Sequence, residues 1–331
     1  MAKRKKLTSI EICAGAGGQA LGLELAGFEH TLVAEIEPQF CETLLLNRPE
    51  WNVVVADVKK MSGKGYEGVD LFAGGVPCPP FSVAGKQLGA DDERDLFPSA
   101  LRLVSELNPR AVLLENVKGL MSKGFIDYRK EILDKLDEMG YQGEWKLLNA
   151  SDFGVPQLRP RAILVALKKE IFPYFVWPIG NSKQVTVGEA LHDLMASQGW
   201  EKADEWRLLA NKVAPTLVGG SKKHGGPDLG PTRAKAAWEL LGVNGKGISD
   251  DIPGIGHEGL PKLTVRMAAR VQGFPDEWLF AGRKTAAYRQ IGNAFPPPVA
   301  RAVGEAIADA IYASEDASAV KLNTVKEVSN V

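Results

Sequence analysis

Short apolar runs alternate with segments of helical spacing over the first 170 residues. Leu7 to Cys13 is an apolar run of strand length, a glycine-rich turn follows, and Gln19 to Ala26 carries apolar residues at helical spacing. The runs Thr31 to Ile36, Trp51 to Ala56, Val69 to Ala73, Ala111 to Glu115 and Ala162 to Leu167 predict further strands, with helices at Pro38 to Leu46, Leu96 to Leu107 and Tyr128 to Met139. Strands alternating with helices predict an α/β fold whose mostly parallel sheet is covered on both faces. Ligands of such sheets collect at the carboxyl ends of the strands.

After about Glu170 the pattern breaks. Pro173, Pro178, Pro215, Pro227, Pro231, Pro253 and Pro261 punctuate a stretch rich in glycine and polar residues, which predicts a second, irregular module over 171–262. Within it, Gly219 to Gly226 combines backbone freedom with Lys222 and Lys223, a composition that suits contact with phosphates or base edges and equally suits a mobile surface loop. Helical periodicity returns from Thr264 to Val271 and from Pro296 to Ile311, so 263–331 is expected to rejoin the domain formed by 1–170. The polar tail after Ser314 is expected to fray.

Composition narrows the function classes. With 331 residues and 45% hydrophobic content the chain can fill a large core. No apolar run approaches the roughly 18 residues of a membrane helix, and no apolar signal region follows the basic N-terminus, so a cytoplasmic location without membrane contact is expected. Three widely spaced cysteines, Cys13, Cys41 and Cys78, argue against a disulfide framework and supply no Cys-x-x-Cys metal pair, so no metal is expected. A net charge of −1 does not announce nucleic-acid binding, yet Arg159 with Arg161, Lys222-Lys223-His224, Arg266 with Arg270, and Arg283-Lys284 are local basic clusters that could line a positive cleft.

The chemistry-bearing residues fall at the predicted strand ends. Cys13-Ala14-Gly15-Ala16-Gly17-Gly18 provides a sharp turn that a ligand can approach closely, with a glycine spacing that departs from the dinucleotide fingerprint G-x-G-x-x-G and so disfavours a nucleotide-dependent oxidoreductase. Glu35 ends the second strand, where a carboxylate can accept from two ribose hydroxyls, and Asp57 follows the third, where it can accept from an adenine amino group; together they point to a nucleoside. Cys78 sits among Pro77, Pro79 and Pro80 after the fourth strand. A thiol fixed in a stiff loop outside any regular element packs little apolar surface but can serve as a nucleophile. Cys13 and Cys41 are read as inert core residues. Glu115-Asn116 ends the next strand, and Gln157, Arg159 and Arg161 point to one side if that stretch is extended.

In this order the segments resemble the DNA cytosine-5 methyltransferase family of bacterial restriction-modification type. The resemblance rests on Ala14 to Gly18, Pro77-Cys78 with Phe81-Ser82, Glu115-Asn116-Val117, Gln157-x-Arg159-x-Arg161, Leu263-Thr264-x-Arg266 with Gln272-Gly273-Phe274-Pro275, and Gln290-Ile291-Gly292-Asn293-Ala294. It implies a Rossmann-like sheet domain that binds S-adenosylmethionine, releases S-adenosylhomocysteine, and carries a target-recognition region at about 171–262. Cys78 would add to carbon 6 of a flipped cytosine, Glu115 would hydrogen-bond nitrogen 3 and the amino group, Arg161 would hold the cytosine oxygen, and Arg159 would support the same site. Asn116 and Gln157 would organise these groups. Ser82, Val117, Thr216, Leu217, Lys222 and Lys223 would face the substrate, with Thr232 competing for the place of the family's Thr-Leu element. On the cofactor side the resemblance assigns Glu35 to the ribose, Asp57 to adenine with Cys13 near it, and Asn293 with Ala14, Gly15, Gly17 and Gly18 to the methionine part. Ile36, Val58, Pro77, Leu96 and Ala294 complete that set.

The chain departs from the family pattern where Cys13 replaces a common phenylalanine and Ile36 a larger aromatic, so adenine is expected to rest on aliphatic walls. The expected partner is duplex DNA, read at a specific short sequence by a monomer, with a restriction endonuclease acting separately. A tRNA cytosine methyltransferase of the same fold and a catalytically silent DNA-binding module are the alternatives; the glycine-rich recognition region favours DNA, and intact Cys78, Glu115 and Arg161 favour an enzyme.

Overall fold

The computed structural model describes residues 5–77, 95–180, 183–219 and 227–328, with side-chain surroundings as far as residue 320. The first domain runs β1 (Leu7–Ile12), α1 (Gly18–Leu25), β2 (Phe28–Glu35), α2 (Pro38–Asn47), β3 (Val53–Val55), β4 (Leu71–Gly75), α3 (Phe97–Leu107), β5 (Ala111–Val117), α4 (Ile126–Glu138), β6 (Tyr141–Asn149) and β7 (Pro160–Lys168). They form a seven-stranded sheet in the order β3-β2-β1-β4-β5-β7-β6. The first five strands of that order are parallel, whereas β7 lies antiparallel between β5 and β6. The architecture is the α/β fold that the alternation predicts, Rossmann-like as the resemblance implies.

Side-chain alternation divides the core. Ile10, Phe72, Val112 and Leu114 face α3 and α4, where Phe97, Leu101 and Leu136 meet them. Their strand neighbours Leu71, Ala73, Ala111 and Leu113 face the other way. The long helix α10 (Pro297–Val328) covers this second face with Val299, Val303 and Ile307. Strands buried on both faces read as continuous apolar runs, which is why the sequence reveals them. Strand β6 escaped that reading because it is an edge strand, half-exposed along most of its length, and its Gln142, Glu144 and Lys146 interrupt any apolar run.

The region read as irregular contains the helices α5 (Val187–Ala196), α6 (Ala203–Leu209) and α7 (Thr232–Glu239) among its described residues. Helices this short are marginal alone and form where tertiary packing holds them. Here Leu191, Trp200, Trp206 and Trp238 join one apolar cluster with Met267 of α8 (Val265–Val271) and Ile291 of α9 (Lys284–Asn293). A capping box between Thr186 and Glu189 fixes the start of α5. Residues just after β7 stay with the sheet instead: Ile171, Phe172, Phe175 and Trp177 pack on its α10 face. The expected fraying after Ser314 also gives way to helix, since α10 continues to Val328. Arg110 reaches across to Glu315 at 2.7 Å and ties that stretch to the end of the sheet. Among the described residues no helix is long and apolar enough to cross a membrane.

Candidate active site

The parallel strands β1, β2, β4 and β5 end along one edge, and two cavities open above it. The first lies over the turn after β1. Cys13 and Gly15 take φ of 52° and 56°, and a Cβ on Gly15 would meet nothing within 4 Å, so this left-handed turn leaves open space above its backbone. Glycine is required at position 18 for a different reason. A Cβ there would lie 2.1 Å from the carbonyl oxygen of Phe295, so the segment after α9 rests directly on the start of α1. Gly17 likewise faces Leu44 and Trp278 rather than the cavity.

Cys13, Ala14, Gly15, Asn293 and Ala294, all expected at the cofactor, line this first cavity. Glu35 stands beside the turn: its carboxylate accepts from the Gly15 amide at 2.8 Å and from the Glu37 amide at 2.9 Å. Burial pushes its carboxyl above the ordinary range, against the pull of the Glu37, Gly15 and Ile36 amides. Asp57 accepts from the Lys59 amide at 3.0 Å in a local turn beyond β3. Ile36 is exposed at the same edge, whereas the Val58 side chain is part of the core. Leu96 is half-buried at the start of α3, and its amide reaches the Pro77 carbonyl at 3.4 Å.

The second cavity lies between β5, β7 and the segment 216–219, and shares Gly75, Glu115 and Asn293 with the first. At its centre Arg161 Nε meets Glu115 Oε1 at 2.7 Å. The register explains the meeting, because Glu115 pairs with Gly75 on one side while Val117 pairs with Arg161 on the other. Burial pushes the Glu115 carboxyl up, and the guanidiniums of Arg161 and Arg159 pull it down without reversing the direction. The site therefore favours a carboxyl that holds its proton longer than a solvated one.

Arg159 is placed differently from Arg161. It is almost wholly buried and donates to the carbonyls of Leu217 at 2.8 Å, Gly292 at 2.7 Å and Ala294 at 2.9 Å. Its guanidinium thus clamps the segment 216–219 to the end of α9. Gln157, also buried, accepts from the Leu217 amide at 2.7 Å and donates to Gln272 at 2.7 Å. The alternation read from the sequence holds, since Gln157, Arg159 and Arg161 are buried while Leu158 is exposed. The Asn116 amide donates to the Val76 carbonyl at 2.7 Å and so steadies the chain as it leaves β4 toward Pro77.

Thr216 and Leu217, Asn116 and Val117, and Pro77 all line the second cavity. Thr216 donates to the Leu158 carbonyl, while Thr232 begins α7 away from this lining. Cys78, Ser82, Lys222 and Lys223 lie outside the described residues. Sequence reasoning gave no site role to Val218 here, or to Gln19 and Phe40 in the first cavity. A Cβ on Gly219 would sit 2.5 Å from the Arg289 carbonyl oxygen, so two backbones touch there; nothing local to either segment announces that contact. Cys41 is buried as expected, its thiol pushed up to about 11 by burial, while Cys13 is half-buried, packing against the core and also lining the cavity. No cluster of three or more His, Cys, Asp or Glu side chains able to hold a metal occurs among the described residues.

Comparison with known proteins adds a further finding. Residues 7–309 match the family described as C-5 cytosine-specific DNA methylase. The chain is 57% identical over 313 residues to the Type II methyltransferase M.NaeI of Lentzea aerocolonigenes, spanning 93% of this chain and 76% of that one. It is 55% identical over 316 residues to the Type II methyltransferase M.NgoMIV of Neisseria gonorrhoeae, spanning 92% of this chain and 98% of that one. In fold it is similar to the Entamoeba histolytica methyltransferase EhMeth, with a TM-score of 0.66 at 18% identity over 93% of this chain and 99% of that one.

Proposed function

The chain belongs to the C-5 cytosine-specific DNA methylases and is a bacterial restriction-modification methyltransferase, and from that premise we propose that it methylates carbon 5 of a cytosine flipped out of a short specific duplex sequence, with Cys78 as nucleophile. The observation that carries the reading is the buried Glu115–Arg161 pair at 2.7 Å, set in a cavity whose wall is shared with the glycine-turn cavity. A base in one and a methyl donor in the other would meet beside Gly75 and Glu115. Cys78 would act at the part of the sheet edge between them.

The first cavity fits S-adenosylmethionine by its chemistry. The Glu35 carboxylate keeps lone pairs for ribose hydroxyls after its two amide contacts, the turn is open above Gly15, and unpartnered polar atoms of Glu11 and Gln19 wait in its lining. When bound, this cofactor supplies an electrophilic sulfonium methyl. The protein's own groups do the rest. The Cys78 thiolate would add to carbon 6, with the electron pair of the 5,6 double bond moving toward carbon 5. Glu115 would hold a proton at nitrogen 3, a role that burial favours by pushing its carboxyl up. Arg161, fixed by Glu115, would face the ring oxygen. Once carbon 5 bears the methyl group, removal of the carbon-5 proton and expulsion of the Cys78 thiolate would restore the ring.

Extruding the base costs a few kcal/mol, on the order given for base-flipping enzymes, and must be offset by contacts to the base and the vacated stack. Residues 171–262 would read the target, with Thr216, Leu217, Lys222 and Lys223 on the DNA side and Ser82 over the base, while 1–170 and 263–331 would form the catalytic domain. Asp57 and Ile36 would hold the adenine against aliphatic walls. A separately acting endonuclease would cut the unmodified target.

Transfer of labelled methyl from S-adenosylmethionine to duplex DNA, followed by bisulfite sequencing, tests the proposal. Transfer confined to cytosines of one short sequence is expected. Cys78→Ala should abolish transfer while leaving S-adenosylhomocysteine binding intact, and turnover in that variant would remove the nucleophile assignment.

A further inference from the structure

The glycine turn is held from behind by a residue 262 positions further along the chain. The indole Nε1 of Trp278, in the stretch between α8 and α9, donates to the Ala16 carbonyl at 3.1 Å. Both residues are buried, Trp278 at 4% and Ala16 at 1% exposure. The same ring lies against Gly17, where a Cβ would come within 2.9 Å of it, so indole and turn meet without a gap.

The position of that donor is set by the helices beside the turn. Asn47 of α2 clasps the next residue in both directions, donating to the Leu279 carbonyl at 2.8 Å and accepting from its amide at 2.8 Å. Thr43, one turn earlier, accepts from the Ala281 amide at 2.9 Å. The Arg48 guanidinium stands 5.4 Å from the centre of the indole ring and is itself held by Glu24 of α1 at 2.8 Å.

What the bond does follows from the freedom of the turn. Gly15 and Gly17 both have positive φ, 56° and 83°, and glycine moves between backbone regions at little cost. A buried carbonyl left without a donor is costly, so without the indole the Ala16–Gly17 peptide would rotate to find one and carry Gly15 with it.

We propose that Trp278 is a positioning residue for the cofactor: it holds the Ala16 carbonyl and thereby keeps the glycine turn in the open form that admits the ligand. This rests on the cofactor reading of the cavity over the turn. Trp278 lines neither cavity and acts through the backbone of residues 15–17. When the donor is missing, each binding event must first restore the open turn, so the loss falls on cofactor affinity.

Calorimetric titration of the full chain with S-adenosylhomocysteine, run beside steady-state methyl transfer to duplex DNA, tests this. Trp278→Phe keeps an aromatic ring and removes the N–H. It is expected to weaken S-adenosylhomocysteine roughly five- to a hundredfold, the worth of one buried acceptor left unpaired, and to raise the KM for S-adenosylmethionine in step. The kcat at saturating cofactor and the KM for DNA should hold. A merely structural role moves a different quantity, since partial unfolding lowers the apparent kcat and leaves the KM of the folded fraction where it was. Asn47→Ala loosens the clasp but leaves the ring in place; it should raise the same KM by less, and serves if Trp278→Phe does not fold. A fall in kcat at unchanged cofactor KM, or wild-type affinity for S-adenosylhomocysteine in both variants, would overturn the positioning role and leave the cofactor site standing. A wild-type chain that binds no S-adenosylhomocysteine would overturn the cofactor site itself, and this inference with it.

Discussion

Arg159 and Arg161 stand two residues apart on the same face, and the structure predicts that removing them does opposite things. Arg159→Met takes away three donors from the buried carbonyls of Leu217, Gly292 and Ala294. Each bond to a charged donor is worth about 1.5–3 kcal/mol, a gross loss of roughly 4.5–9 kcal/mol. Relief from desolvating the guanidinium returns several kcal/mol, so a net cost of about 3–5 kcal/mol is expected, the usual range for removing one side of a buried charged contact. At roughly 2–4 °C per kcal/mol for a large domain, Tm should fall by about 6–20 °C. Arg161→Met breaks one ion pair, after which Glu115 can take up a proton instead of remaining a buried lone charge. Its stability should change less, while methyl transfer falls and S-adenosylhomocysteine binding persists. Differential scanning calorimetry of both variants, run beside the methyl-transfer assay, measures the two effects. A Tm for Arg159→Met within about 2 °C of wild type, or equal Tm losses in the two variants, would refute the assignment of Arg159 as a clamp.

Glu115→Gln should keep the fold and lower the methyl-transfer rate by roughly 10²–10⁴-fold, the usual contribution of a positioned acid; full activity in that variant would refute its role. Glu11 carries a pH signature. Its folded carboxyl is raised above the ordinary value of 4.5, so its contribution to stability is fully present below that value and is lost as pH rises through the folded pKa. Thermal melts of Glu11→Gln and wild type across pH should therefore diverge in the variant's favour as pH rises, and a constant difference would contradict the raised carboxyl. Gly18→Ala places a Cβ 2.1 Å from the Phe295 carbonyl oxygen, so a loss of about 1–3 kcal/mol is expected, and an unchanged urea midpoint would show that the segment after α9 gives way freely.

The sequence by itself determined the α/β frame, because strands buried on both faces must be apolar throughout and their helices must follow at helical spacing. It also set polar residues at the strand ends: Glu35, Glu115, Arg161 and the glycine turn all stand at one edge of the sheet. Edge strand β6 and the short helices of 171–262 were invisible to that logic, since half-exposed strands carry mixed residues and short helices borrow their stability from distant tryptophans. Only the tertiary structure separated the two arginines, giving Arg161 to Glu115 and Arg159 to three carbonyls drawn from segments 58 to 135 residues away. Only it placed Leu217 against Gln157, Gly219 against Arg289, and Glu11 beside Gln19 without partners. Strand periodicity records which face of a strand is buried, whereas a contact between remote backbones or an unfilled hydrogen bond depends on where the whole chain comes to rest.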